Sequence, residues 1–200
     1  MKAVVLAAGM GKRLQSEEFD MPKVLREIKG RSLLSYVLEN IDFIPKRETV
    51  IVVGYKREKV IASVSPEYKF AVQDKQLGTG HAVVSAAEEL EGYDGDVIVL
   101  CGDMPMLKRD TYKALIEKHR EENADCTILS AVLDEELTHG RIIRKNGQVT
   151  EIVEHKDCDD EQRKVREYNS AVYVFNAKKL LENLKKLKNN NAQGEYYLTD

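Results

Sequence analysis

The chain has 200 residues, 42% of them hydrophobic and 32% charged, with 31 Lys and Arg against 34 Asp and Glu for a net charge of −3. These values describe one globular domain with a sizeable core, and they exclude the strongly basic footprint of a nucleic-acid binder. No apolar run approaches the roughly 20 residues of a membrane span, Met1-Lys2 leads straight into the first strand so that no signal peptide is expected, and Cys101, Cys126 and Cys158 lack metal spacing and read as free thiols in a reducing cytoplasm.

The first predicted element is a strand over 3–8, Ala3-Val4-Val5-Leu6-Ala7-Ala8, which runs into Gly9-Met10-Gly11-Lys12-Arg13-Leu14 with Pro22-Lys23 close behind. A strand that ends in a glycine loop beside three cations is suited to holding phosphates. A P-loop needs G-x-x-x-x-G-K-[ST]; here Leu6 stands in the first glycine's place and Arg13 in that of the magnesium-binding Ser/Thr. A dinucleotide loop needs G-x-G-x-x-G, and Leu14 fills the third glycine position. A G-x-G-x-R loop followed by Pro-Lys, wrapping a nucleoside triphosphate, fits better. Gly9 and Gly11 let backbone N–H groups approach the phosphates, while Arg13 and Lys23 add positive charge. The competing reading is an ordinary βα turn with surface cations.

A helix is expected over 32–41, with Leu33, Leu34, Val37, Leu38 and Ile41 on one stripe, then strands over 49–54 and 68–72. The segment Gln73-Asp-Lys-Gln76-Leu-Gly78-Thr79-Gly80-His81-Ala82 follows. Its glycines permit close backbone approach, Thr79 is placed to cap a helix starting near His81, and Gln73 offers both a donor and an acceptor, as the edge of a nucleobase requires. A plain strand–loop–helix with a good cap is the alternative.

A strand over 96–101 leads to Gly102-Asp103-Met104-Pro105. A lone carboxylate at a strand's carboxyl end suits magnesium, which keeps most of its waters and takes phosphate oxygens as further ligands; an Asx turn is the alternative. Then come a helix over 108–122, with Tyr112, Leu115, Ile116 and His119 inward, and a strand over 126–133. A hairpin is expected over 140–154, closed by Asn146-Gly147, and the charged run 157–167 reads as a solvated helix or loop. A strand over 170–175 and a helix over 177–188 end the series. The alternation predicts an α/β fold, a Rossmann-like doubly wound mixed sheet with an appended β-hairpin. Ligands in such sheets bind at the strands' carboxyl ends, which selects 8–14, 73–80, 102–106 and the segments near 154 and 169. The four histidines show no metal-ligand spacing and read as structural or solvent-facing.

Leu6-Ala-Ala-Gly-Met-Gly-Lys-Arg-Leu14, Pro22-Lys-Val-Leu25, Gln76-Leu-Gly-Thr-Gly-His-Ala82 and Gly102-Asp-Met-Pro105 together resemble the sugar-1-phosphate nucleotidylyltransferases. Gly140-Arg-Ile, Ile152-Val-Glu-His-Lys-Asp157, Glu167-Tyr-Asn-Ser170 and the run Asn191 to Asp200 narrow the resemblance to the uridylyltransferase domain of the bacterial N-acetylglucosamine-1-phosphate uridylyltransferases (UDP-N-acetylglucosamine pyrophosphorylases). The resemblance spans the whole chain in order and implies a single nucleotidylyltransferase domain over 1–200 that stops within a motif at its C-terminus. It implies cytoplasmic transfer of a nucleotidyl group from UTP to N-acetylglucosamine-1-phosphate. Leu6, Ala7, Ala8, Gly9 and Gly11 would line the nucleotide and phosphate side. Arg13 and Lys23 would be the catalytic cations, and Gln73, Gly78 and Thr79 would read the uracil. Asp103 would hold Mg2+, and Gly140, Glu154 and Asn169 would bind the sugar.

Some positions depart from the family. Lys12 replaces its usual threonine, the stretch before Pro22 is longer, and Asn169-Ser-Ala171 replaces Asn-Thr-Gly. The family's second magnesium ligand comes from a later Asn-containing segment with no match in this sequence, and its β-helix acetyltransferase domain has no counterpart either. Another sugar-1-phosphate or nucleotide, such as glucose-1-phosphate or dTTP, and a catalytically weak nucleotide-sugar-binding homologue are the alternatives. Oligomeric state is not legible.

Overall fold

The computed structural model of the chain describes residues 1–11 and 20–200. The expectations placed on Lys12, Arg13 and Leu14 therefore lie outside the described residues. Strand β1 (Lys2–Ala7) comes first, and a two-stranded ribbon of β2 (Glu27–Ile28) and β3 (Arg31–Ser32) precedes helix α1 (Leu33–Asn40). Next are β4 (Thr49–Val53), α2 (Arg57–Ala62), β5 (Lys69–Val72), α3 (Thr79–Ser85), β6 (Asp96–Cys101) and α4 (Arg109–Glu121). The second half holds β7 (Cys126–Val132), β8 (Arg141–Lys145), β9 (Gln148–Val153), α5 (Asp160–Lys164), β10 (Glu167–Asn176) and α6 (Ala177–Leu184). None of the described helices is long and apolar enough to cross a membrane.

The apolar runs β1, β4, β5 and β6 form a parallel block in the order β5-β4-β1-β6. Every residue of β4 is buried, as expected for strands covered on both faces. Alternate β1 residues feed two separate cores. Val5 and Ala7 pack with Ile98 and Leu100 against Leu34, Val37 and Leu38 of α1 and Tyr112, Leu115 and Ile116 of α4. Val4 packs with Val52, Val97 and Val99 against Val83 of α3 and Leu180 and Leu184 of α6. Ser32 caps α1, its hydroxyl accepting from the Ser35 N–H at 3.1 Å, and Asn176 caps α6 in the same way through Lys179. The doubly wound expectation stands.

The mixed character of the sheet comes from β10, which runs antiparallel to β6 through Tyr173–Asn176 and antiparallel to β7 along most of its length. Its first half also meets β8, with Tyr168 opposite Arg141, so the β8–β9 hairpin continues the sheet edge. The hairpin turn is the expected one, Asn146 and Gly147 taking φ of 52° and 80°. The charged run 157–167 divides: Asp159 and Gln162 form a capping box on the exposed helix α5, and β10 begins at Glu167, earlier than the expected strand at 170.

One β10 feature is strained. Between Asn169 and Tyr173 the register with β7 slips, and Ala171 takes a φ of 58°, the left-handed region. The Asn169 side chain braces this bulge, its Oδ1 accepting from the Ala171 N–H at 3.0 Å and its Nδ2 donating to the Tyr173 hydroxyl at 2.7 Å. A side chain held left-handed costs about 1–2 kcal/mol, whereas glycine's extra chain entropy costs about 0.5–1 kcal/mol. Ala171→Gly is therefore expected to stabilise the fold by about 0.5–1 kcal/mol, read as a higher urea midpoint at unchanged slope. A lower midpoint contradicts this account.

Candidate nucleotide-transfer site

The carboxyl ends of β1, β5 and β6 open onto one cavity of about 850 Å³. Two of its walls are joined by the backbone. The Gly102 N–H donates to the Leu6 carbonyl at 2.9 Å, one step past the paired strands, which sets Asp103 beside the glycine loop. Leu6, Ala8, Gly9 and Gly11 line the cavity. The side chain of Ala7 lies in the core, 1% exposed, as strand alternation requires.

Lys23 enters from a short helical turn over Lys23–Leu25, set up by Pro22. Its ammonium pairs with the Asp103 carboxylate, and both side chains line the cavity, 37% and 20% exposed. Among the described residues no three His, Cys, Asp or Glu groups converge as a metal cluster. A partly exposed carboxylate facing a cavity with room for several phosphates nonetheless fits magnesium, which needs only one or two protein carboxylates when phosphates supply other oxygens. The neighbouring Cys101 thiol is pushed up to about 12, chiefly by burial, and so stays protonated.

Gln73, Gly78 and Thr79 line the facing wall. Gln73 is 3% exposed, its Nε2 donating to the Gly78 carbonyl at 3.0 Å. Gly78 has a φ of 109°, and a Cβ there would sit 2.5 Å from the Tyr196 carbonyl oxygen, so only glycine fits. The expectation that Thr79 caps a helix is corrected. Gly78 occupies the cap position without a side-chain bond, Thr79 is the first helical residue, and its hydroxyl accepts from the Leu198 N–H at 3.1 Å. That partner lies 119 residues away, beyond any local sequence signal.

The expected sugar-side residues Gly140, Glu154 and Asn169 form a second group that does not itself line the cavity. Gly140 abuts Glu154, since a Cβ on it would meet the carboxylate at 3.3 Å. The Gly140 carbonyl accepts from the Asn169 N–H at 2.9 Å, and the Thr199 hydroxyl donates to Glu154 at 3.1 Å. Asn169 is 5% exposed and spends its carboxamide on the β10 bulge. The bulge in turn presents Ser170 and Ala171 to the cavity, together with His139 and Glu195. These four and Gln76, which also lines the cavity, were not among the expected site residues. Only the Asn-Ser-Ala departure marked Ala171 beforehand. Of the histidines, His119 is structural as expected: it is 3% exposed, held by Thr127 at 2.9 Å, and burial lowers its pKa.

Burial raises the pKa of Glu154, opposed by the Thr199 bond and reinforced by Asp157, Asp200 and Glu195. Its folded pKa lies above the ordinary 4.5, so the folded chain binds the proton more tightly than the unfolded chain. This contribution to stability is complete below pH 4.5 and is lost as pH rises through the folded value. Glu154→Gln keeps the acceptor for Thr199 and removes the buried charge. Its melting temperature is expected to exceed the parent's at pH 7, with the gap closing below pH 4.5; a gap that does not depend on pH contradicts the assigned cause.

The sequence profile described as the MobA-like NTP transferase domain matches residues 3–196. Proteins named "Bifunctional protein GlmU" from Clostridium botulinum (strain Eklund 17B / Type B) and Acetivibrio thermocellus are each 46% identical to the chain, over 200 and 201 residues. These matches cover 99% and 100% of this chain and 43% of each relative, so the chain spans less than half the length of the curated proteins it matches. In structure, a putative glucose-1-phosphate thymidylyltransferase from Bacillus anthracis superposes with a TM-score of 0.76 at 21% identity, over 100% of this chain and 80% of its own. A UDP-glucose pyrophosphorylase complexed with UDP-glucose gives a TM-score of 0.76 at 18% identity, over 100% of this chain and 84% of its own. At these identities the structural likeness establishes the fold.

Proposed function

The chain is a member of the MobA-like NTP transferase domain family, and from that premise we propose that it is a sugar-1-phosphate nucleotidylyltransferase, transferring a uridylyl group from UTP to N-acetylglucosamine-1-phosphate with release of pyrophosphate. The observation that carries the reading is the single cavity joining the glycine loop, the Lys23–Asp103 pair and the Gln73–Gly78–Thr79 wall, with the Gly140–Glu154–Asn169 group tied to it through the Asn169-braced bulge. The ordered motif matches along the whole chain support the narrower choice of base and sugar.

In this reading the glycine-loop N–H groups cradle the triphosphate, and the Gln73 wall takes the base. The Gly140–Glu154–Asn169 group orients the sugar, with Glu154 a hydrogen-bond acceptor for sugar hydroxyl or amide groups. A phosphate oxygen of the sugar-1-phosphate attacks the α-phosphorus in line, the bond to the β-phosphate oxygen breaks, and pyrophosphate leaves. The nucleophile is already an anion, so no general base is required, and the protonated Cys101 takes no part. Rate acceleration comes from positioning and from neutralising charge on the leaving pyrophosphate by Lys23 and Arg13. Mg2+ held by Asp103 would supply further charge neutralisation on the phosphates. Lys23 is then the mobile partner: its ammonium, paired with Asp103 in the described structure, is free to turn to the phosphates. The three free thiols suit a cytoplasmic location.

Pyrophosphate exchange across the four nucleoside triphosphates and several sugar-1-phosphates tests this reading. Exchange is expected to be fastest with UTP and N-acetylglucosamine-1-phosphate; nucleotide-sugar binding without exchange for any pair would overturn the enzyme assignment. Arg13→Ala is expected to lower kcat about 100-fold, the scale of one lost transition-state donor, while KM for UTP moves far less. A change confined to KM would make Arg13 a binding residue only.

A further inference from the structure

His81 is the third residue of α3, does not cap it, and forms no part of the machinery described so far. Its Nδ1 lies 3.1 Å from Gln73 Nε2, the same nitrogen that donates to the Gly78 carbonyl at 3.0 Å. These two contacts determine each other's chemistry. A backbone carbonyl only accepts, so the amide group facing Gly78 is the NH2; the reversed amide would set its oxygen against that carbonyl. An NH2 only donates, so His81 Nδ1 accepts, and the ring is the neutral tautomer with its proton on Nε2. Both amide hydrogens of Gln73 are then engaged. Gln73 Oε1 accepts no hydrogen bond among the described residues, and Gln73 lines the cavity.

An unrestrained glutamine is two-faced. It offers its carbonyl to a base edge that donates and its NH2 to one that accepts, and the rotation between them costs little. We infer that His81 is a positioning residue that, together with the Gly78 carbonyl, removes this choice: by accepting the second Gln73 amide hydrogen it helps keep the Gln73 carbonyl toward the cavity, so the site favours a base with a ring N–H, such as uracil, over cytosine, whose N3 accepts. The inference rests on the reading of the cavity as a uridine-nucleotide site. A site built around one fixed acceptor discriminates because the wrong base leaves buried polar groups unpaired.

The test compares the parent with His81→Phe, which keeps a ring but loses the acceptor, His81→Ala, which loses it without added bulk, and His81→Gln, which keeps an acceptor. Binding of UTP and of CTP is measured by titration calorimetry, and KM and kcat with each nucleotide. The parent is expected to prefer UTP. Phe and Ala are each expected to narrow the UTP-to-CTP ratio about tenfold, the worth of one polar mismatch, acting on KM for UTP more than on kcat; Gln is expected to retain most of the ratio. Equal weakening of both nucleotides by Phe and Ala would make His81 merely structural and overturn the inference, as would a parent binding both equally or a Gln variant as unselective as Phe. A parent without transfer activity whose UTP preference still disappears in Phe and Ala would count against the enzyme reading and leave this inference standing.

Discussion

The site depends on one backbone hydrogen bond, from the Gly102 N–H to the Leu6 carbonyl at 2.9 Å. The β1–β6 ladder pairs Lys2 through Leu6 with Val97 through Cys101 in parallel register, and this bond carries the pairing one residue beyond it. Two strand ends that would otherwise diverge are tied together. Because side chains alternate along β1 and β6, the register that buries Val5, Ala7, Ile98 and Leu100 on one face and Val4, Val97 and Val99 on the other also fixes where the loops leave the sheet. A slip of one residue would exchange the two faces and separate the glycine loop from Asp103. The energy that holds this side of the cavity together is thus the burial energy of the core.

The opposite side is held differently. There the sheet reverses direction: β10 pairs antiparallel with β6, β7 and β8, and its bulge, braced by Asn169, directs Ser170 and Ala171 into the cavity. The segment after α6 closes the arrangement, since Tyr196 exchanges backbone hydrogen bonds with Leu77 and Gly80 and Thr199 reaches Glu154. One surface strap therefore touches both the Gln73–Gly78–Thr79 wall and the Gly140–Glu154–Asn169 group. Its own shape comes from Asn191, whose carboxamide bonds the backbone of Glu195 in both directions, a local polar scaffold of the kind loops use in place of a core.

The parts of the molecule legible in the sequence were those specified by short-range chemistry. The apolar runs of β1, β4 and β6, the stripe of α1 and the Asn146-Gly147 turn each carry their own signal, and the rule placing ligands at strand carboxyl ends pointed to loops that share one cavity. Elements that depend on distant partners were not legible. Helix α2 buries only Val60, too little for a periodic pattern. The β2–β3 ribbon has two residues a strand, and Thr79 reads as a cap until Leu198 arrives to occupy its hydroxyl. His81 looked structural because an imidazole at a helix start has no signature of its role; its partner becomes visible only once β5 delivers Gln73 beside it.

The central claim, that this cavity directs a sugar phosphate onto the α-phosphorus of a nucleoside triphosphate, is tested most directly by following oxygen. N-acetylglucosamine-1-phosphate carrying 18O in its three non-ester phosphate positions is turned over with unlabelled UTP, and the products are read by 31P NMR and mass spectrometry. The account predicts that the nucleotide sugar retains all three labels, one of them in the bridge between its phosphorus atoms, and that pyrophosphate carries none. Label in the pyrophosphate, loss of one label from the nucleotide sugar, or no nucleotide sugar at all would contradict it.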